Sequence, residues 1–175
     1  DMNFNLVPWL AASYEKSDPT TWVVKLKPNL KWHDGQPITS EDVKWTIEHV
    51  LSDGGAQSRW VVGVKSVAAP DPQTVVVTTV PTLVAPWLYG LYTLPKHYWE
   101  ANGAVGAKFL TFENVPPIGS GPYKMVDWKP GEYAEFQAFD NFFMGKPKVD
   151  KIMYRVYTSA ETLVAALKAG EIDVA

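Results

Sequence analysis

The sequence predicts a mixed α/β (α+β) chain in which β-hairpins and a mixed sheet are interleaved with short helices. Three observations carry that prediction: period-2 apolar alternation, two capped segments with helical apolar spacing, and 14 prolines placed between the apolar runs, where turns belong. With 175 residues, 46% of them hydrophobic and 20% charged, the chain is long enough to bury a core and unlike a disordered one.

Residues 22–27 alternate, with Trp22, Val24 and Leu26 on one face and Val23, Lys25 and Lys27 on the other, as a half-buried strand does. Pro28 and Asn29 end it, and His33-Asp34-Gly35-Gln36 reads as a turn in which Asp-Gly supplies a left-handed position. A helix follows from Thr39, its N-cap, with Asp42 three residues on as capping-box partner and Glu41 in the favourable first turn. Its apolar stripe is expected at Val43, Ile47, Val50 and Leu51, and Gly54-Gly55 stops it. Residues 61–69 and 74–80 are Val-rich and predict an antiparallel hairpin around Pro70, Asp71, Pro72 and Gln73. The aromatic stretch 83–98, broken by Pro86, Gly90 and Pro95, predicts two short helices, the second with Pro95 at N1.

Residues 113–122 are the most loop-like part of the chain. Beyond them, 123–128 and 133–139 predict a second hairpin around Lys129-Pro130-Gly131-Glu132, and 151–157 a further strand. Thr158 is expected to cap a helix, with Glu161 as its partner, Leu163, Ala166 and Leu167 inward, and Gly170 at its end. Residues 171–175 read as the start of the next strand. A complete helix followed by the beginning of a strand predicts that the chain is a fragment of a longer protein.

Composition also excludes functions. No cysteine is present, which removes disulfides, thiol nucleophiles and Cys-based zinc sites. A net charge of −3 without a Lys/Arg run gives no footprint for a nucleic-acid backbone. No stretch approaches the ~18 apolar residues of a membrane span, and the opening residues Asp1-Met2-Asn3-Phe4-Asn5 are not an export signal.

Three ordered blocks carry a family resemblance. The first runs from Trp22-Val-Val-Lys-Leu-Lys-Pro through Trp32-His-Asp-Gly-Gln-Pro-Ile-Thr-Ser-Glu-Asp-Val43 and the following helix. The second is Pro117-Ile-Gly-Ser-Gly-Pro-Tyr-Lys-Met-Val-Asp-Trp-Lys-Pro-Gly131. The third joins Asp140-Asn-Phe-Phe-Met-Gly-Lys-Pro147 to Thr162-Leu-Val-Ala-Ala-Leu-Lys-Ala-Gly-Glu-Ile-Asp-Val-Ala175. Together they resemble the family 5 extracellular solute-binding proteins, the oligopeptide, dipeptide and nickel class of ABC importers. The resemblance implies part of a type II (class C) periplasmic-binding-protein fold, from a longer two-lobed protein. Residues 1–114 would be the extra subdomain of its first lobe, and 115–175 a returning, truncated piece of that lobe's main sheet domain. It further implies capture of a peptide or similar solute in the periplasm or at the extracellular face of the cytoplasmic membrane. Delivery would be to an ABC permease, with membrane contact only through that permease or a lipid anchor. An oligosaccharide-binding relative and a cytoplasmic sensor on the same fold are the alternative readings.

Each candidate site has a structural role that competes with a functional one. His33 and Asp34 are neighbours in a tight turn and point apart, so they make no acid–base pair. His33, His49 and His97 lack metal-ligand spacing, and no metal or other cofactor is expected. Gly119-Ser120-Gly121 lacks the lysine and following helix of a phosphate loop and reads instead as a turn between subdomains. Glu41, Asp42 and Asp71 fit capping and turn roles. Trp22, Trp32 and Trp128 are expected in the core. Arg59 and Trp60, in the polar loop after the first helix, together with Trp87 and Tyr89, are the candidate ligand-binding residues; no residue is expected to be catalytic, and the chain is read as a binder and not an enzyme.

Overall fold

A computed structural model describes residues 9–175, apart from the Tyr89 side chain. The opening residues and that side chain therefore lie outside the described part. The chain forms two compact units that divide between Ser120 and Gly121.

The first unit is built on a four-stranded antiparallel sheet in the order β1-β2-β4-β3, from β1 (Ala11–Lys16), β2 (Thr21–Leu26), β3 (Val64–Asp71) and β4 (Thr74–Thr79). The alternation of β2 is realised: Trp22, Val24 and Leu26 are buried, while Lys25 is exposed. Its register sets Trp22 opposite Val77 and Val24 opposite Val75, and Val67 of β3 faces Val77 from the other side. These β-branched rows make the sheet face of the core. The β3–β4 hairpin is tighter than the sequence suggested, because β3 runs on through a register shift to Asp71. The Asp71 carboxylate then accepts from the Gln73 N–H at 2.9 Å and the Thr74 hydroxyl at 2.6 Å and closes the turn.

Helix α1 (Ser40–Asp53) lies against β3. Thr39 and Asp42 form the expected capping box, and Gly54 ends the helix at a φ of 82°. The buried stripe is rotated from the predicted one. Trp45, Thr46, Ile47 and Val50 are buried together with Ser40 and Asp42, whereas Val43 is half-buried and Leu51 exposed. The rotation has a polar cause, because Ser40 bonds the Asp71 carbonyl and Asp42 and Thr46 bond the 94–96 segment.

The two short helices predicted in the aromatic stretch are α2 (Pro86–Gly90) and α3 (Lys96–Ala101). Pro86, not Pro95, occupies the first helical turn; Pro95 is the N-cap of α3. The core between sheet and helices is aromatic. Trp22 meets Trp87 edge-on at 6.3 Å, Trp45 stacks on His49 at 3.9 Å, and Trp99 packs on Phe109 at 5.1 Å and Phe112 at 5.0 Å. The indole N–H groups of Trp22, Trp32, Trp87 and Trp99 have no acceptor among the described residues, so ring packing, not hydrogen bonding, fixes these side chains.

The second unit has an antiparallel sheet of β5 (Tyr123–Lys129), β6 (Tyr133–Ala138) and β7 (Lys151–Arg155), followed by α4 (Ala160–Ala169). Ser159, not Thr158, caps α4 and accepts from the Thr162 N–H at 3.2 Å; Gly170 closes it in the left-handed region. Ala166 is buried and Leu163 half-buried, but Leu167 is exposed. Trp128 is not core: it is 45% exposed, because it lies at the end of β5, where the strand is solvent-facing. Residues 171–175 do not form a strand.

Candidate functional site

The candidate surface begins where α1 ends. A 3-10 turn, Ser58–Trp60, follows the two glycines and is closed by the Ser58 N–H and hydroxyl, both donating to the Gly55 carbonyl. Gln57, just before the turn, uses its side-chain amide as a two-point clamp. Its Oε1 accepts from the Tyr92 N–H at 2.7 Å, and its Nε2 donates to the Tyr92 carbonyl at 3.3 Å. The turn is thereby tied to the segment that links α2 to α3.

Trp60 uses that proximity. Its indole lies on Gly90, the last residue of α2, so closely that a Cβ at position 90 would overlap three of its atoms. Gly90 is required for this approach by the absence of a side chain, not by its backbone angles. Arg59 also lies over the indole, its guanidinium carbon 5.1 Å from the ring centroid, a cation–π arrangement. Trp60 is half-buried and Arg59 exposed, and Tyr92 beside them is 76% exposed.

The four candidate residues are thus treated differently. Arg59 and Trp60 are brought together at the surface. Trp87, 5% exposed, belongs to the core against Trp22. Tyr89 is on α2, one residue before the glycine seat. Sequence reasoning missed Gln57, Gly90 and Tyr92 as parts of this surface. A glycine inside the aromatic 87–92 stretch was a visible signal for close ring packing, whereas Gln57 carried none.

Elsewhere in the first unit, one buried carboxylate organises the helices. Asp42 accepts from the Thr39 N–H at 2.8 Å and from the Lys96 N–H at 3.1 Å, so it serves the N-termini of both α1 and α3. Thr46 adds a relay, donating to the Asp42 carbonyl at 2.7 Å and accepting from the Leu94 N–H at 2.9 Å. Burial pushes the Asp42 carboxyl above its usual range, and the Thr39 and Lys96 amides oppose that rise. At the surface the opposite holds: the Thr20 backbone N–H, with the Thr20 hydroxyl, holds Asp18 down at about 2.

The three histidines have structural partners. His33 accepts from the Gly119 N–H at 3.3 Å through Nδ1, while Asp34 meets His97 Nε2 at 2.6 Å. His33 and Asp34 therefore engage different elements, and His49 stacks between Trp45 and Phe109. Among the described residues there is no group of three or more His, Asp or Glu side chains placed to hold a metal. No described helix is long and apolar enough to cross a membrane.

The chain belongs to the bacterial extracellular solute-binding proteins, family 5, whose middle-region model matches residues 5–175. A putative ABC transporter peptide-binding protein from Brucella ovis is 32% identical over 175 residues, covering 97% of this chain and 33% of the relative. Among solved structures, NikZ from Campylobacter jejuni, in complex with Ni(L-His), superposes with a TM-score of 0.85 at 31% identity, over 98% of this chain and 35% of that one. The mannohexaose-bound periplasmic oligopeptide-binding protein of Thermotoga maritima gives 0.83 at 26% identity, over 98% and 33%. The chain spans about a third of the length of the curated relatives it matches, as expected of a fragment. Its fold is part of the type II periplasmic-binding-protein architecture.

Proposed function

We propose that this chain is part of the solute-binding component of an ABC importer that captures oligopeptides or dipeptides in the periplasm or at the extracellular face of the cytoplasmic membrane. The captured solute passes to the permease, and two lobes close around it by hinge motion. In this reading residues 1–114 form the extra subdomain of the first lobe and 115–175 the returning piece of its main sheet. The function is binding, without covalent chemistry, in keeping with a family of binding proteins.

The observation that carries the proposal is the family match along nearly the whole chain, joined to peptide-binding relatives. The Arg59–Trp60 pair, seated on Gly90 and clamped through Gln57, is the first unit's contribution to the solute site, with Trp87 supporting it from the core and Tyr89 adjacent. The test is titration calorimetry on the natural protein, with all the sequence that flanks these residues, against peptides of two to five alanines and against mannohexaose. Binding of the peptides with no response to the sugar supports the proposal.

One observation favours a second reading. A structural relative holds mannohexaose, and exposed Trp and Tyr rings suit sugar stacking as well as peptide side chains. Saturable binding of mannohexaose without any peptide binding would select it.

A further inference from the structure

The chain has six asparagines, and five of them precede Phe, Leu or Val; only Asn102 precedes a glycine. A glycine places no side chain over its own amide nitrogen, so that nitrogen approaches the preceding side-chain amide more closely than another residue's can. Asn102 and Gly103 are both exposed, and a carbon added at Gly103 would meet nothing. Solvent therefore reaches the pair.

The last turn of α3 keeps the two reacting groups apart. Asn102 is its C-cap, with φ −93° and ψ 5°, which eclipses the Gly103 nitrogen with the Asn102 backbone nitrogen. A five-membered ring closing through Cβ needs the Gly103 nitrogen eclipsed with Cβ instead, so ψ must turn by roughly the angle between two substituents of a tetrahedral carbon. The Gly103 N–H donates to the Glu100 carbonyl at 2.9 Å, and Asn102 Nδ2 donates to the Tyr98 carbonyl at 2.8 Å. One residue on, the buried Ala104 donates its N–H to the Trp99 carbonyl at 2.9 Å. Nucleophile and leaving amide are each occupied while the turn is closed. Helix α3 has only 6 residues, and the ends of such short elements open locally well below the cost of global unfolding.

We propose that Asn102 is a site of spontaneous succinimide formation, gated by opening of the last turn of α3. With the turn open, the Gly103 nitrogen gives up its proton and attacks Asn102 Cγ. The N–Cγ bond forms, the Cγ–Nδ2 bond breaks, and the side-chain nitrogen takes up a proton and leaves as ammonia. Water then opens one of the two imide carbonyls, leaving aspartate or isoaspartate at 102 with no change of oxidation state. Either product puts a carboxylate at the C-terminal end of α3, where the helix dipole disfavours it, and removes the donor to Tyr98. Isoaspartate also lengthens the main chain by a methylene just before the Gly103 and Ala104 hydrogen bonds. Ammonia is lost, so the turn stays loosened.

The test incubates the natural protein, with its flanking sequence, in mildly alkaline buffer, folded and unfolded in guanidinium chloride, and then digests it with trypsin. Cleavage after Lys96 and Lys108 yields a peptide of residues 97–108 that holds the pair. In the unfolded chain this peptide should gain the mass of an amide turned into an acid and split into two chromatographic products, while the peptide with Asn141, which precedes Phe142, stays unchanged. The folded protein is expected to react about tenfold to a hundredfold more slowly, the scale of a local opening. Ala104→Gly loosens the gate without altering either reacting group, and should speed the folded reaction by about threefold while leaving the unfolded rate as it was. No reaction in the unfolded chain, equal rates folded and unfolded, or a folded protein still unmodified after about a hundred unfolded half-lives overturns the proposal. So does a folded rate that Ala104→Gly leaves unchanged.

Discussion

Replacing Asp42 by alanine probes the joint on which the first unit depends. The carboxylate is 5% exposed and serves two backbone donors from different helices, the Thr39 N–H at 2.8 Å and the Lys96 N–H at 3.1 Å. A buried donor left without an acceptor costs about 1–3 kcal/mol, and loss of a helix-cap contact about 1 kcal/mol. The variant is relieved, in return, of the cost of burying a charge, which is what pushes this carboxyl up. A net loss of about 2–3 kcal/mol follows. The pH dependence has a definite sign. A carboxyl whose pKa is raised on folding binds its proton more tightly in the native state, so its contribution is full below the unfolded value of 3.8 and declines as pH rises through the folded value. The stability gap between wild type and Asp42→Ala should therefore be wider at about pH 4 than at pH 7. Urea unfolding followed by tryptophan emission measures the gap, and amide hydrogen exchange at Lys96 reads the α3 contact directly. A loss below about 0.5 kcal/mol, with Lys96 protection unchanged, would refute the view that one carboxylate ties α1 to α3.

Three further outcomes are expected. Gly90→Ala forces the Trp60 indole off its seat, so Trp60 emission should shift and solute affinity of the natural protein fall; Gly121→Ala, with nothing near its added carbon, is the silent control, and unchanged emission in Gly90→Ala would contradict the packing. Asp18, held by the Thr20 N–H and hydroxyl, should titrate at about 2 by carboxyl-carbon NMR. Its stabilising effect is present above the unfolded value of 3.8 and lost as pH falls through about 2, and a midpoint at or above 3.8 would contradict these bonds. Ile47→Ala empties a fully buried position and should cost about 2–5 kcal/mol in urea unfolding; a loss under 1 kcal/mol would mean that the α1–sheet core is not packed as described.

What the sequence revealed was local. The β2 faces, the Thr39–Asp42 box and the β3–β4 hairpin each depend on residues a few positions apart, and all three were legible. The pairing of β2 with β4 was not, since it joins residues about 50 apart and leaves no periodic mark. Strand β1 was also missed: Ala-Ala-Ser-Tyr-Glu-Lys has weak alternation, and its extended form comes from pairing with β2. The rotated stripe of α1 shows the same limit, because partners at Asp71 and Leu94 decided which polar residues are buried. For the site, the turn bearing Arg59 and Trp60 was visible as a polar loop, but its seat on Gly90 depends on a contact thirty residues away. Trp128 misled because a strand position promises burial only where a second layer covers it, and there it is exposed.

On the proposed function, these 175 residues supply part of a solute site that the rest of a longer protein completes. Titration calorimetry of the isolated chain beside the natural full-length protein, with the same alanine peptides, tests it most directly. Saturable binding by the full-length protein, with little or no heat from the isolated chain, is the expected result. Micromolar peptide binding by the isolated chain would contradict it.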